Sequence, residues 1–236
     1  MKGRREGPAA KGGREGPAAK GRPRPAKAAS PALPREVRII GGAWKRTRLP
    51  VVDRPGLRPT PDRVRETVFN RLGQSLPGWR CLDAFAGSGA LGFEAASRGA
   101  AEVVLLERDP AAAASLRATQ ARLAADAVRV ERSDALQWMA RAPAGSFDLV
   151  FLDPPFESPL LAAALPAAGR IVGDGGYLYV EAASPVQAAR AGPGFELFRS
   201  GRAGAVHFQL LRRAASGQAA PAQSLHSADI EGKPET

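Results

Sequence analysis

Cysteine is nearly absent from this sequence. The single thiol, Cys81, excludes an internal disulfide and fits a reducing compartment. Histidine is almost as scarce. His207 and His226 are the only two, so no zinc-ligand cluster and no Cys–His pair in close register appears, and no metal is expected. His207 stands in a stretch of strand character and reads as structural. No run approaches the roughly 18 apolar residues of a membrane helix. The opening residues lack the apolar stretch of a secretory signal. A cytoplasmic protein without a membrane partner is expected. No feature demands more than a monomer.

Acid is the other deficit. The 236 residues carry 34 Lys plus Arg against 23 Asp plus Glu, a net charge of +11. Such an excess points to an anionic partner without saying which. It is also unevenly spread. Residues 1–36 hold ten basic residues and three acids, and Arg38 to Arg80 hold ten and three again. Cys81 to Arg213 are close to neutral, with thirteen and fourteen. The first of these segments repeats REGPAAKG and is rich in Gly and Pro, which break helices. We expect a disordered basic tail over 1–36, a folded domain over 37–213 with a basic extension at 37–80, and a disordered polar tail over 214–236. The repetitive tail could add non-specific nucleic-acid affinity or serve only solubility.

The chain's central stretch is Phe147 to Phe156, FDLVFLDPPF. An apolar run of buried-strand type ends at Asp153, and two prolines and an aromatic follow. In open α/β sheets the ligand site lies just beyond the carboxyl ends of the strands. Pro154 and Pro155 have no N–H, so the backbone there offers only carbonyl acceptors from a stiff loop. Asp153, when ionised, also only accepts. Phe156 offers a face for stacking. Acceptors beside a ring suit a planar heterocycle with an exocyclic NH2, although an ordinary Asp-Pro turn would look the same.

A second motif, CLDAFAGSGALG, runs from Cys81 to Gly92. A short strand reaches Asp83, and Gly87, Gly89 and Gly92 satisfy G-x-G-x-x-G before a helix. Glu107 ends the next strand, 20 residues beyond Gly87, a spacing at which an acid can accept from ribose hydroxyls. Asp134 closes the third strand and could either accept from an adenine amine or cap the helix that follows. Strand–helix alternation through a fifth strand at Gly176 to Glu181 gives a doubly wound sheet. Phe195 to Arg199 and Ala205 to Arg212 are expected to pair as an antiparallel hairpin at one edge.

In the basic extension, VRIIGGAWKRTRLPV alternates like a strand, with Lys45, Arg46 and Arg48 around Trp44. RPTPDRVRETVFNRL follows. Thr60 reads as an N-cap, Pro61 as the first helical residue, and Val64, Val68 and Leu72 as the packed face. Arg63, Arg65 and Arg71 then fall off that face. Arg next to Trp44 and glycines favours phosphate and base contacts by Lys45, Arg46, Arg48, Arg58, Arg63 and Arg65, against the plainer reading of a solvated face.

These motifs, in this order, resemble a class I S-adenosylmethionine-dependent methyltransferase. DPPF resembles the amino-group branch, and the whole set resembles the RsmD-type family that methylates N2 of a guanine in bacterial 16S ribosomal RNA. The resemblance implies a Rossmann-like seven-stranded sheet. It assigns S-adenosyl-L-methionine to a crevice formed by Asp83, Phe85, Gly87, Gly89, Glu107, Asp134 and Ala135. It assigns the target base to Asp153, Pro154 and Phe156, and makes the partner 16S rRNA, within an assembling or assembled 30S subunit. Thr47 stands where the family pattern carries a glycine. A DNA amino-methyltransferase would use the same loop. A nicotinamide-dependent oxidoreductase would explain the glycines but not DPPF or the basic block.

Overall fold

The computed structural model describes residues 36–52, 60–155 and 158–215. Both expected tails lie almost wholly outside the described residues, and so do Arg58 and Phe156.

The chain starts with a small antiparallel pair, β1 (Glu36–Arg38) and β2 (Arg48–Pro50). The alternating stretch read as strand is thus mostly a turn, with Gly42 at φ 74° and Arg46 at φ 72°. Arg46 is the left-handed residue and Thr47 is not, so the position that would welcome a glycine is one earlier than the sequence pattern suggested. Helix α1 (Asp62–Arg71) follows. Pro61, not Thr60, is its N-cap residue, and no side chain caps it. Thr60 is buried and its hydroxyl points elsewhere, as described below.

The main sheet has seven strands: β3 (Arg80–Asp83), β4 (Glu102–Leu106), β5 (Val128–Glu131), β6 (Phe147–Leu152), β7 (Val172–Ala182), β8 (Phe195–Ala203) and β9 (Val206–Arg213). Their spatial order is β5-β4-β3-β6-β7-β9-β8. The first five are parallel, and β9 joins β7 antiparallel and pairs with β8 as a hairpin. Helices α2 (Ala90–Ser97), α3 (Pro110–Arg122), α4 (Ala135–Arg141) and α5 (Leu160–Ile171) connect the parallel strands.

Strand residues alternate between two cores, as the pleat requires when both faces are covered. Cys81, Leu149, Phe151 and Tyr179 face one side with Val68 and Phe69 of α1, Leu91 and Phe93 of α2 and Leu116 of α3. Leu82, Val150, Leu152, Leu178 and Val180 face the other with Met139 of α4 and Leu165, Ala168 and Ile171 of α5. The chain winds outward through β3, β4 and β5, then returns to the opposite side of β3 as β6. The winding order therefore reverses between β3 and β6, the place where an open α/β sheet leaves a crevice for a ligand.

Candidate active site

Two loops meet at that reversal. The parallel register pairs Asp83 with Phe151, so the turns after β3 and β6 leave the sheet side by side. After β3 the chain enters the glycine loop. Gly87 and Gly89 have φ 53° and 76°, a left-handed conformation that glycine adopts without steric cost. Gly89 is the N-cap residue of α2, and a Cβ there would strike Phe93 and Leu116. The loop is thus built so that backbone, not side chain, lines the crevice.

Acids mark the ends of successive strands. Asp83 is buried and accepts from Gly92 N–H at 3.1 Å, at the first turn of α2. Burial pushes its carboxyl up to about 7 against the help of backbone donors. Glu107, just past β4, accepts from Gly87 N–H at 3.1 Å and Asp109 N–H at 2.8 Å. These two bonds fix the carboxylate against the glycine loop. Asp134, past β5, is the N-cap of α4 and accepts from Gln137 N–H at 3.0 Å. The capping alternative is therefore the contact made. Phe85 is partly buried and Ala135 is buried at the start of α4. The donor set fits a nucleoside-bearing cofactor: a glycine turn open to backbone approach, a carboxylate held beside it at hydroxyl-accepting position, and a further acid one strand out.

Asp153 follows β6 and is half-buried, and Pro154 is buried behind it. Its surroundings include two residues that the sequence reading did not identify as part of the site. Thr60 Oγ1 lies 3.2 Å from Asp153 Oδ2 and 2.7 Å from Oε1 of Glu181, a buried residue of β7. Tyr179 donates its hydroxyl to the same Glu181 oxygen at 2.7 Å. Loss of hydration, then the charges of Glu181 and Asp83, hold the Asp153 carboxyl well above the usual carboxylate range. Loss of hydration raises Glu181 as well, while the Thr60 and Tyr179 hydroxyls work the other way. Glu181 ends a strand beside β6, which was the signal available for it. Thr60 was hidden by its resemblance to a helix cap.

The basic residues divide. Lys45, Arg46, Arg48 and Arg63 are exposed, Arg48 beside Glu36 at 2.9 Å. Arg65 is not on that surface. It is fully buried, with Nη2 donating to Asp62 Oδ1 at 2.7 Å and to Arg38 O at 2.9 Å, Nε donating to Thr60 O at 3.3 Å, and Nη1 at 3.5 Å from Glu94 Oε2. Its position follows Val64 on the helix stripe that also carries Val68 and Phe69. Buried acceptors, invisible in a charge count, draw it inward. It fastens the extension to the domain and does not meet a substrate.

The sequence model of the family described as Conserved hypothetical protein 95 matches residues 37–212, most of the chain. The chain belongs to this family. Among other members of similar sequence, Ribosomal RNA small subunit methyltransferase D of Escherichia coli (strain K12) is 41% identical over 189 residues, 78% of this chain and 93% of the relative. The solved yhhF structure from Escherichia coli superposes with TM-score 0.66 at 41% identity, covering 76% of this chain and 99% of that one. The HI0767 structure from Haemophilus influenzae gives 0.64 at 34%, with the same coverage. Through this family the chain is a methyltransferase, with the seven-stranded sheet of that class. Among the described residues of this methyltransferase, no helix is long and apolar enough to cross a membrane, and no group of acids, histidines and cysteines is arranged to hold a metal ion.

Proposed function

We propose that this methyltransferase transfers a methyl group from S-adenosyl-L-methionine to the exocyclic N2 amine of a guanine in 16S rRNA, acting in the cytoplasm as a monomer on a 30S particle. The observation that carries the reading is the position of Asp153 and Pro154 at the end of β6, next to the glycine loop that follows β3.

The residues divide the work. Backbone of the Gly87–Gly89 turn approaches the cofactor closely, Glu107 accepts from its ribose hydroxyls, and Asp134 with Ala135 borders the adenine. When bound, S-adenosylmethionine supplies a methyl group on a positively charged sulfur. Everything else is positioning. The lone pair of a guanine N2 is delocalised into the ring, so the amine is a poor nucleophile. Asp153 and the Pro154 carbonyl accept its two N–H bonds, which draws the nitrogen toward tetrahedral geometry and aims the lone pair at the methyl carbon. Phe156 stacks on the extruded base. Orientation and fixed dipoles then account for the rate. The name carried by the Escherichia coli relative supports a small-subunit rRNA substrate, and the basic extension supports a polyanion.

The test offers labelled S-adenosylmethionine with unmethylated 30S particles, naked 16S RNA and duplex DNA. We expect a single N2-methylguanine in 16S RNA, with the particle preferred. Label confined to DNA amines would reassign the substrate. Asp153→Ala should reduce transfer by about 10³-fold or more while cofactor affinity stays within about twofold. An equal loss of both would remove Asp153 from its role.

A further inference from the structure

Thr60 raises a question of hydrogen count. A hydroxyl has one hydrogen to donate, yet Thr60 Oγ1 sits between two carboxyl groups, 2.7 Å from Glu181 Oε1 and 3.2 Å from Asp153 Oδ2. Were both carboxyls ionised, one of these contacts would set oxygen against oxygen with no proton between them, in a partly desolvated site. One more proton must belong to the group. Glu181 Oε1 already receives a second donor, the Tyr179 hydroxyl at 2.7 Å, so the negative charge rests on Glu181. An extra proton on Asp153 Oδ2, donated to Thr60, would satisfy every oxygen of the group. The chain of bonds runs Asp153–Oδ2–H to Thr60, Thr60–Oγ1–H to Glu181, with Tyr179 donating from the far side. Arg65 holds Thr60 in place through the Thr60 carbonyl.

We propose that Thr60 and Glu181 form a proton relay behind Asp153, carrying the proton released from the methylated amine away from the base. This rests on the amine-methylation reading above. The amine nitrogen forms its bond to the methyl carbon as the methyl–sulfur bond breaks, and the positively charged nitrogen gives its proton to Asp153 Oδ1. The Asp153 Oδ2 proton moves to Thr60 Oγ1, and the Thr60 proton moves to Glu181 Oε1. Asp153 begins and ends neutral, the amine is left uncharged, and Glu181 ends protonated until it loses the proton to solvent after product leaves. Asp153 is the catalytic residue, because it touches the amine. Thr60 and Glu181 act through it. Desolvation raises both carboxyls, which favours a proton held within the group.

Among the described residues, the groups that bear on this titration are few. Asp83 at the end of β3 acts on Asp153, Tyr179 on β7 hydrogen-bonds Glu181, and the buried Arg65 of α1 acts on Tyr179. The relay requires Glu181 to be ionised at the start, so the single-turnover rate of the wild-type protein rises with pH through the Glu181 titration. Without the relay, Asp153 must itself lose its proton before it can accept the amine's, and it holds that proton more tightly.

The experiment measures single-turnover methyl transfer to the 16S substrate across pH for the wild-type protein, Thr60→Val, Thr60→Ser and Glu181→Gln. We expect Thr60→Val and Glu181→Gln to slow transfer by about 10²-fold near neutral pH. Binding of cofactor and RNA should change by less than about twofold, within the range of an ordinary surface substitution. In Thr60→Val the acid limb of the profile moves to higher pH, and Thr60→Ser restores both rate and limb. A packing role alone would not move the limb. If Thr60→Val matches wild type in rate and profile, the relay is wrong while the proposed function stands. If wild type methylates no guanine at all, the proposed function falls and the relay with it. A readout independent of turnover is the carboxyl 13C titration of the wild-type protein. Asp153 protonated and Glu181 ionised near pH 7 is the expected state, and the reverse assignment overturns the direction of the relay, even if Thr60→Val fails to fold.

Discussion

At the scale of single residues, the site's acids do different work because their surroundings differ. Glu107 and Asp134 are held by backbone N–H groups in partly exposed positions. Asp83 is buried, and its carboxyl is pushed up from 3.8 to about 7 by loss of hydration. An acid that holds its proton more tightly in the folded chain favours folding most when protonated. That stability is complete below about pH 4, the range of a free Asp carboxyl, and is lost as pH rises through about 7; the difference is on the order of 4 kcal/mol. Thermal melts should therefore show wild type losing stability from pH 5 to pH 8. Asp83→Asn, always neutral and still able to accept from Gly92 N–H, should lose less, so the gap between the two proteins opens with pH. A gap of constant size would mean that Asp83 does not titrate in this range. Much of the site was legible at this scale, because Asp83, Glu107 and Asp153 each end an apolar run, and a strand end in an α/β sheet is where chemistry collects. Thr60 was misread for a physical reason. Its sequence context is that of a helix cap, and the carboxyls that claim its hydroxyl come from strands far along the chain.

At the scale of elements, a buried hub joins the basic extension to the sheet. The Glu94 carboxylate on α2 accepts from Ile40 N–H at 2.7 Å, Gly41 N–H at 2.8 Å and Arg98 Nε at 2.8 Å, and faces Arg65 Nη1 at 3.5 Å. Ser97, one turn on, accepts from Trp44 N–H and donates to the Gly41 carbonyl. A side chain at Gly42 would collide with the Ser97 carbonyl, which explains that glycine by close approach. Removing one partner of a buried pair strands the other's charge, at about 3–5 kcal/mol. Glu94→Ala strands Arg98 and leaves Arg65 only its pair with Asp62, and should cost that much in a urea titration. Arg65→Ala should cost less, since Arg98 still pairs with Glu94. A Glu94→Ala protein as stable as wild type would show that the hub contributes nothing. Strand β7 was legible only from Gly176, where its apolar run starts, but Val172 pairs with Phe147 across a register shift, so the strand begins four residues earlier. The inward Arg65 was equally hidden, because charge sets the expectation of exposure and its acceptors lie on other elements.

At the scale of the whole molecule, charge and fold separate into two tasks. The sheet and its helices are nearly neutral and build the crevice, whereas the extension is strongly basic and is clamped to α2 by the Glu94 hub. Thr60 reaches Asp153 from just before α1, and Arg63 is exposed in the first turn of that helix. Lys45 and Arg46 are exposed on the turn that the hub holds, and Arg46 keeps a left-handed backbone that costs a non-glycine residue about 1–2 kcal/mol. Among the described residues, none of these three meets a buried acid, in contrast to Arg65. Their role is therefore sought in what they meet from outside. Reversing Lys45 and Arg63 to Glu should weaken binding of the 16S substrate and leave cofactor affinity and thermal stability unchanged. If each side chain meets one phosphate, the dependence of log affinity on log salt should flatten by about 0.7–0.9 for each phosphate no longer neutralised. Arg65→Glu must be kept out of that comparison, since it would act through the fold. Weaker RNA binding with an unaltered salt slope would mean that these side chains shape the surface without touching phosphate. An unaltered affinity would move the RNA to another face of the molecule.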